Sequence, residues 1–288
     1  MSDSARPTPQ DQILSSYDFF DPETLLTAHS SYMNLGYWAG ECATADDASV
    51  ALAHLLADSA GFRPGDRVLD AGFGFGDQDF YWLENWRLKS ITALNIGAKQ
   101  VKIARRRAGE RKVSDRIDFR QASATGESPR PGGFDRVVAL ESAFHFDTRE
   151  DFFARALESL RPGGTIATAD ILKRDSFDFE SISPEDEVKI RTSLFSGVPP
   201  VRNWYGARVY AEKLAEAGFV DVSVRSIREE VFEPFLEYSL AMLEDAEFQQ
   251  RVGAENLEMS RGMLADAPQI RRCVEGLDYV VAVATKPA

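Results

Sequence analysis

Two stretches of the chain hold residues whose types and spacing could do chemistry. The first is Val-Leu-Asp-Ala-Gly-Phe-Gly-Phe-Gly at residues 68–76, where an apolar run ends in Asp70 and passes into Gly72, Gly74 and Gly76 at alternate positions. Without Cβ atoms the backbone can turn tightly there and let a ligand lie against it, with the first turn of a following helix behind. The second is Glu-Ser-Ala-Phe-His at 141–145, which sets His145 just beyond another apolar run. An imidazole, with an ordinary pKa of about 6.5, can take the proton of a hydroxyl nucleophile. Asp170 ends a further apolar run and would face the same edge, to orient the imidazole or to receive a hydroxyl hydrogen bond. Of the three histidines, His29 falls in an aromatic leader and His54 on an amphipathic segment, where structural roles are expected.

The glycine spacing narrows the ligand. Dinucleotide folds use Gly-x-Gly-x-x-Gly, with the third glycine beneath a pyrophosphate. Here that place is Asp77, whose charge would repel a pyrophosphate but tolerate a phosphate-free nucleoside bearing an ammonium group.

These residues need a sheet to carry them. Segments at 91–95, 116–120, 134–141 and 165–170 read as further strands after the first and alternate with helical segments, of which the basic stretch 99–107 is the clearest. That order predicts a Rossmann-like α/β fold, a doubly wound seven-stranded sheet completed by strands at 220–227 and 277–285. Helices are expected at 46–60, ended by Gly61 and Pro64, and at 208–217. Ligands in such sheets bind outside the carboxyl ends of the strands.

The glycine junction, together with Leu-Asn-Ile at 94–96, Gln100-Val101, Ala-Leu-Glu-Ser-Ala-Phe-His at 139–145 and Leu-Arg-Pro-Gly-Gly at 160–164, resembles the class I S-adenosylmethionine-dependent methyltransferases. The similarity runs over residues 62–172, to the small-molecule branch that includes natural-product sugar O-methyltransferases, tocopherol-type C-methyltransferases and cyclopropane-fatty-acid synthases. It implies S-adenosylmethionine as cofactor and S-adenosylhomocysteine as product. It places Asp70 near the amino group of the methionine moiety, the three glycines along the cofactor, and Asn95, with Gln100 nearby, at the ribose, where the family usually has an acid. An amide still bonds a diol, without the extra strength of an ionised acceptor. Ser123, flanked by Ala122 and Ala124, stands at the adenine position. Tyr17, Tyr32 and Trp38 match aromatic positions of a leader that closes over the sulfonium, a charge that aromatic faces stabilise. The resemblance also makes His145 and Asp170 the catalytic pair for O-methylation. An alternative is C-methylation of an alkene or prenyl-type substrate, with Glu141 or Asp170 stabilising a carbocation and Arg202, Asn203 and Tyr205 available to a diphosphate. Another is a cyclase or binding protein that no longer transfers methyl.

Composition bounds the rest. The 288 residues are 44% hydrophobic, enough to bury a sizeable core in one decorated domain. Residues 1–12 read as a disordered leader and 13–288 as one domain. Within it, 13–60 would form lid helices, 62–172 the cofactor-binding core, 174–205 and 228–275 cap insertions over the substrate, and 277–288 the last strand. A net charge of −13 argues against nucleic acid as substrate. The basic cluster around Arg105, Arg106 and Arg107 reads as a solvated helix face. No run is apolar enough to span a membrane, and no cluster has metal-ligand spacing. With only two cysteines, a reducing cytoplasm is expected. The partner is a small-molecule acceptor, apolar or glycosylated, and a homo-oligomer is compatible with the sequence.

Overall fold

A computed structural model describes residues 21–192 and 199–288. Among them, seven strands form one sheet in the order β3-β2-β1-β4-β5-β7-β6. Strands β1 (Arg67–Ala71), β2 (Ser90–Asn95), β3 (Ile117–Gln121), β4 (Phe134–Leu140) and β5 (Leu160–Lys173) run parallel. Strand β7 (Leu277–Thr285) inserts antiparallel between β5 and β6 (Val220–Ser226). It therefore does not close the sheet, as its place at the carboxyl end of the chain suggests. β6 is the edge.

Helices cover both faces. α1 (Ala45–Ala60) starts at a reciprocal cap between Thr44 and Asp47 and stops at Gly61, which is left-handed at φ 68°; such caps are worth about 1 kcal/mol. It buries Leu52, Ala53, Leu56 and Ala57 against the sheet. α2 (Asp77–Trp86) follows β1 directly, and its Trp82 indole donates to Ala53 O at 2.9 Å, locking α1 to α2. α3 (Ala98–Glu110) joins β2 to β3, and α4 (Arg149–Ser159), capped by Thr148, joins β4 to β5. α5 (Pro184–Thr192) and α6 (Ala207–Glu216) precede β6. No helix among the described residues is long and apolar enough to cross a membrane.

Two expectations for the additions change. In the described part of the leader, only the short turn Pro22–Thr24 is helical before Ala45, so residues 25–44 are irregular chain rather than lid helices. Residues 1–12, read as disordered, lie outside the described residues. The addition at 228–275 is helical, with α7 (Phe232–Met242), α8 (Ala246–Leu264) and α9 (Ala267–Glu275). Phe248, Val252 and Leu257 pack with Leu26, Met242 and Leu243, and Arg251 donates to Leu25 O at 2.8 Å. That helical pack clamps the leader instead of opening onto the site. The basic helix face also proves uneven. Arg106 meets Glu110 at the surface, but Arg107 reaches under the glycine loop to Asp77.

Candidate active site

Strand order grows outward from β1 in one direction and from β4 in the other, so the crevice between their carboxyl ends is open to a ligand. A cavity of about 200 Å³ lies there, lined by chain following β1, β2, β3 and β4 and by the leader. Gly72, at φ 92°, approaches the β4 side so closely that a Cβ would stand 2.4 Å from Ser142 Cβ. Ser142 closes the same junction by donating to Ala71 O at 2.6 Å. Gly74, at φ 56°, faces Met33 of the leader. Gly76 does not line the cavity. A Cβ there would come within 2.8 Å of Phe119 Cζ, so this glycine serves the packing of α2 against β3.

Asp70 is also not in the lining. It is fully buried beneath the loop, where Gln78 Nε2 donates to Oδ2 at 3.2 Å and Gln78 itself meets the cavity. Asp79 is likewise fully buried. Burial raises the Asp70 carboxyl to about 7, and burial together with the Asp70 charge holds Asp79 well above the carboxylate range. The two acids share a dry site that favours one proton between them.

Asn95, Gln100, Ser123, Ala124 and Tyr32 all reach the cavity. Asn95 Nδ2 donates to Gln100 Oε1 at 2.9 Å, and its Oδ1 accepts Gly97 N at 3.1 Å, which fixes the amide at the β2 end. Ser123 builds a turn with Thr125, Oγ to Oγ1 at 2.9 Å. Tyr32 is 6% exposed and its hydroxyl has no hydrogen-bond partner among the described residues; Asn34 Nδ2 is in the same state at the same wall. Trp38 is not in the lining. Its indole donates to Leu35 O at 2.8 Å and its ring packs 4.8 Å from Tyr238, so it pins the leader to α7. Tyr17 lies outside the described residues.

At the β4 end, Glu141 takes a left-handed backbone at φ 50°, uncommon for a side chain of its size. Its carboxylate accepts Leu35 N at 2.9 Å and the Tyr279 hydroxyl at 2.7 Å. Burial nonetheless pushes it up to about 7. His145 lines the cavity from the next turn, and burial, with the Arg149 charge second, pushes its imidazole down to about 3. Asp170 does not line the cavity, and its oxygens are committed elsewhere. Arg149 Nε donates to Oδ2 at 2.9 Å, Tyr210 to Oδ2 at 3.1 Å and Ile171 N to Oδ1 at 2.9 Å. The expected histidine–aspartate contact is replaced by an Arg149–Asp170 pair with both side chains at most 1% exposed.

Residues 68–164 match the family described as methyltransferase domain. Over 98% of this chain and 92% of the relative, the sequence is 39% identical to erythromycin 3''-O-methyltransferase of Saccharopolyspora erythraea. The chain belongs to the class I S-adenosylmethionine-dependent methyltransferases. The 27-O-demethylrifamycin SV methyltransferase of Amycolatopsis mediterranei is 32% identical over 86% of this chain and 91% of its own length. The fold is shared with the cyclopropane synthase MmaA2 of Mycobacterium tuberculosis, at a TM-score of 0.77 and 20% identity over 99% of this chain and all of that one.

The cavity of this methyltransferase fits its cofactor. Glycine backbone at 72 and 74, the amides of Asn95 and Gln100, and the Tyr32 hydroxyl and Asn34 Nδ2, unpartnered among the described residues, offer the polar groups that a nucleoside and an amino acid need. The charge of Asp77, which the spacing sets against a pyrophosphate, is answered by Arg107 at 2.6 and 2.7 Å. Cofactor choice therefore rests on the cavity wall and not on that charge.

Two residues of this methyltransferase escape the sequence reading, and a third is given another role there. Asp79 interrupts the apolar face of α2 with a buried acid, which a moment-based reading discounts as a solvated position. Arg149 stands four residues after His145, a spacing that could have flagged it. Asn203, considered for a diphosphate, is 2% exposed and spends its side chain on backbone groups near His145. Of the addition at 174–205, Pro200 reaches the cavity; of 228–275, no residue is in its lining.

Proposed function

We propose that this methyltransferase methylates a hydroxyl of a small glycosylated or polyketide-type natural product, with His145 receiving the hydroxyl proton. The observation that carries this reading is that His145 shares one cavity with Gly72, Gly74 and Tyr32. When bound, S-adenosylmethionine supplies an electrophilic methyl group on a sulfonium sulfur. A hydroxyl held between the glycine loop and His145 would be aligned by binding, and most of the rate gain comes from that alignment.

The low pKa of His145 is compatible with the role. A neutral ring is the acceptor form at neutral pH, and the hydroxyl proton becomes strongly acidic as the new oxygen–carbon bond forms, so a weak base suffices. Asp170 assists by pairing with Arg149, which offsets part of the positive charge that lowers the imidazole. Two relatives named for O-methylation, of erythromycin and of a rifamycin, support oxygen as the acceptor atom.

The test is methyl transfer to erythromycin lacking its 3''-O-methyl group and to 27-O-demethylrifamycin SV. His145→Ala is expected to cut kcat by about 10²-fold or more while S-adenosylhomocysteine still binds. An unchanged kcat would remove His145 as the base; transfer to carbon in the product would remove the O-methylation reading.

A further inference from the structure

We infer that Asn203 is a positioning residue for His145, an inference that rests on the reading of His145 as the base. Its amide is the tie between the turn bearing the imidazole and the ion pair beneath it. Asn203 Nδ2 donates to Phe144 O at 3.1 Å and to Phe146 O at 2.7 Å, the carbonyls on either side of His145. Its Oδ1 accepts Arg149 N at 3.0 Å, and its own carbonyl accepts Arg149 Nη1. Both of the amide's N–H donors are used and its oxygen accepts one bond, at a position 2% exposed.

The arrangement does more than fill space. The turn Ala143–His145 is a single 3-10 turn with no side-chain cap of its own. A one-turn segment has few internal bonds to hold its direction, so its orientation is set from outside. Asn203 bonds the carbonyls of both flanking residues at once, which fixes the rotation of the backbone from which the His145 ring departs. The same side chain registers that turn against Arg149, whose guanidinium is anchored on Asp170. A chain of contacts thus runs from Asp170 through Arg149 and Asn203 to His145. A hydrophobic residue of equal size would pack as well and hold neither carbonyl.

Asn203→Asp separates these functions, because a carboxylate still accepts Arg149 N but cannot donate to the two carbonyls. The expected result, with erythromycin lacking its 3''-O-methyl group as probe, is a fall in kcat of about 10-fold or more, since small misplacements of a reacting group are costly. KM for the probe and the dissociation constant for S-adenosylhomocysteine should stay within about twofold. In a His145→Ala background the same change should cost less than about twofold, the non-additivity expected of residues acting through one group. In histidine-labelled protein, the His145 ring resonances should shift or broaden in Asn203→Asp while those of His29 and His54 do not. Asn203→Ala, which buries no new charge, repeats the measurements if the aspartate form fails to fold. If His145→Ala retains full kcat, the base reading and this inference fall together. If His145→Ala is slow but the Asn203 variants keep kcat and the ring signals unchanged, or slow the His145→Ala enzyme by the same factor as wild type, only the role of Asn203 is overturned.

Discussion

Tyr279 donates its hydroxyl to Glu141 Oε2 at 2.7 Å, linking β7, the neighbour of the edge strand, to the left-handed residue that follows β4. Burial is the larger influence on Glu141 and holds it at about 7, while the Leu35 amide and the Tyr279 hydroxyl act the other way. A carboxyl raised on folding contributes stability that is complete below its unfolded value of about 4.3 and is lost as pH rises through 7. Tyr279→Phe removes a donor that favours the ionised form. Melting temperatures of wild type and Tyr279→Phe should therefore diverge more at pH 8.5 than at pH 5.5. A constant gap across that range would show that the hydroxyl does not act on the Glu141 charge.

Arg107 and Asp77 are both largely buried, and Arg107 Nη1 also donates to Phe75 O at 2.8 Å in the glycine loop. Removing one partner of such a pair strands the other. Arg107→Ala should lower stability by about 3 kcal/mol and weaken S-adenosylhomocysteine binding by calorimetry. Arg106→Ala, at an exposed pair, should change stability by less than about 0.5 kcal/mol. Equal effects of the two would mean that the Asp77 contact is not a support of the loop.

The glycines separate by cause. Gly40 and Gly76 have similar backbone angles, φ 79° and 89°, but a Cβ on Gly40 meets nothing within 4 Å, whereas one on Gly76 meets Phe119. Gly40→Ala should cost only the left-handed penalty of about 1–2 kcal/mol, and Gly76→Ala should cost that plus the displacement of a buried ring. Denaturant unfolding of the two variants measures the difference, and parity between them would mean that Phe119 yields freely.

His145 is held down to about 3, so its ring should stay neutral from pH 5 to pH 8. The chemical shift of its ring proton, followed by NMR in histidine-labelled protein, is expected to be flat over that interval. A titration centred on about 6.5 would instead place the ring in contact with solvent and away from the Arg149 charge.

Much of this was legible in the chain because parallel strands leave a local signature. The run Val137–Leu140 is continuously apolar, as a strand covered on both faces requires, and the glycines at 72 and 74 mark the turn that the cavity needs. What local pattern cannot encode is pairing across the fold. Nothing near Leu277 says that its strand will insert between two others in the opposite direction. Asp170 is read as a partner of His145 because both stand at strand ends, yet Arg149, buried on α4, is nearer in the fold and takes both oxygens. Asn203 looks like one polar residue of a loop until the loop is laid against Phe144 and Phe146. Trp38 is read from its aromatic type as a cofactor face, but its indole hydrogen bond and its contact with Tyr238 hold it against α7, out of the cavity lining.

The tie through Asn203 also bears on how such enzymes can be re-purposed. The segment that supplies Asn203 also supplies Pro200 to the cavity wall, while Arg149 and Asp170 belong to α4 and β5. Exchanging that segment between relatives to change the acceptor would exchange part of the frame that aims the base. Chimeras that keep an asparagine at position 203 should retain turnover on their new acceptor, whereas those that lose it should bind the acceptor and turn over slowly. On the proposed role of Asn203, acceptor choice and catalytic aim would travel together in this segment unless the asparagine is kept.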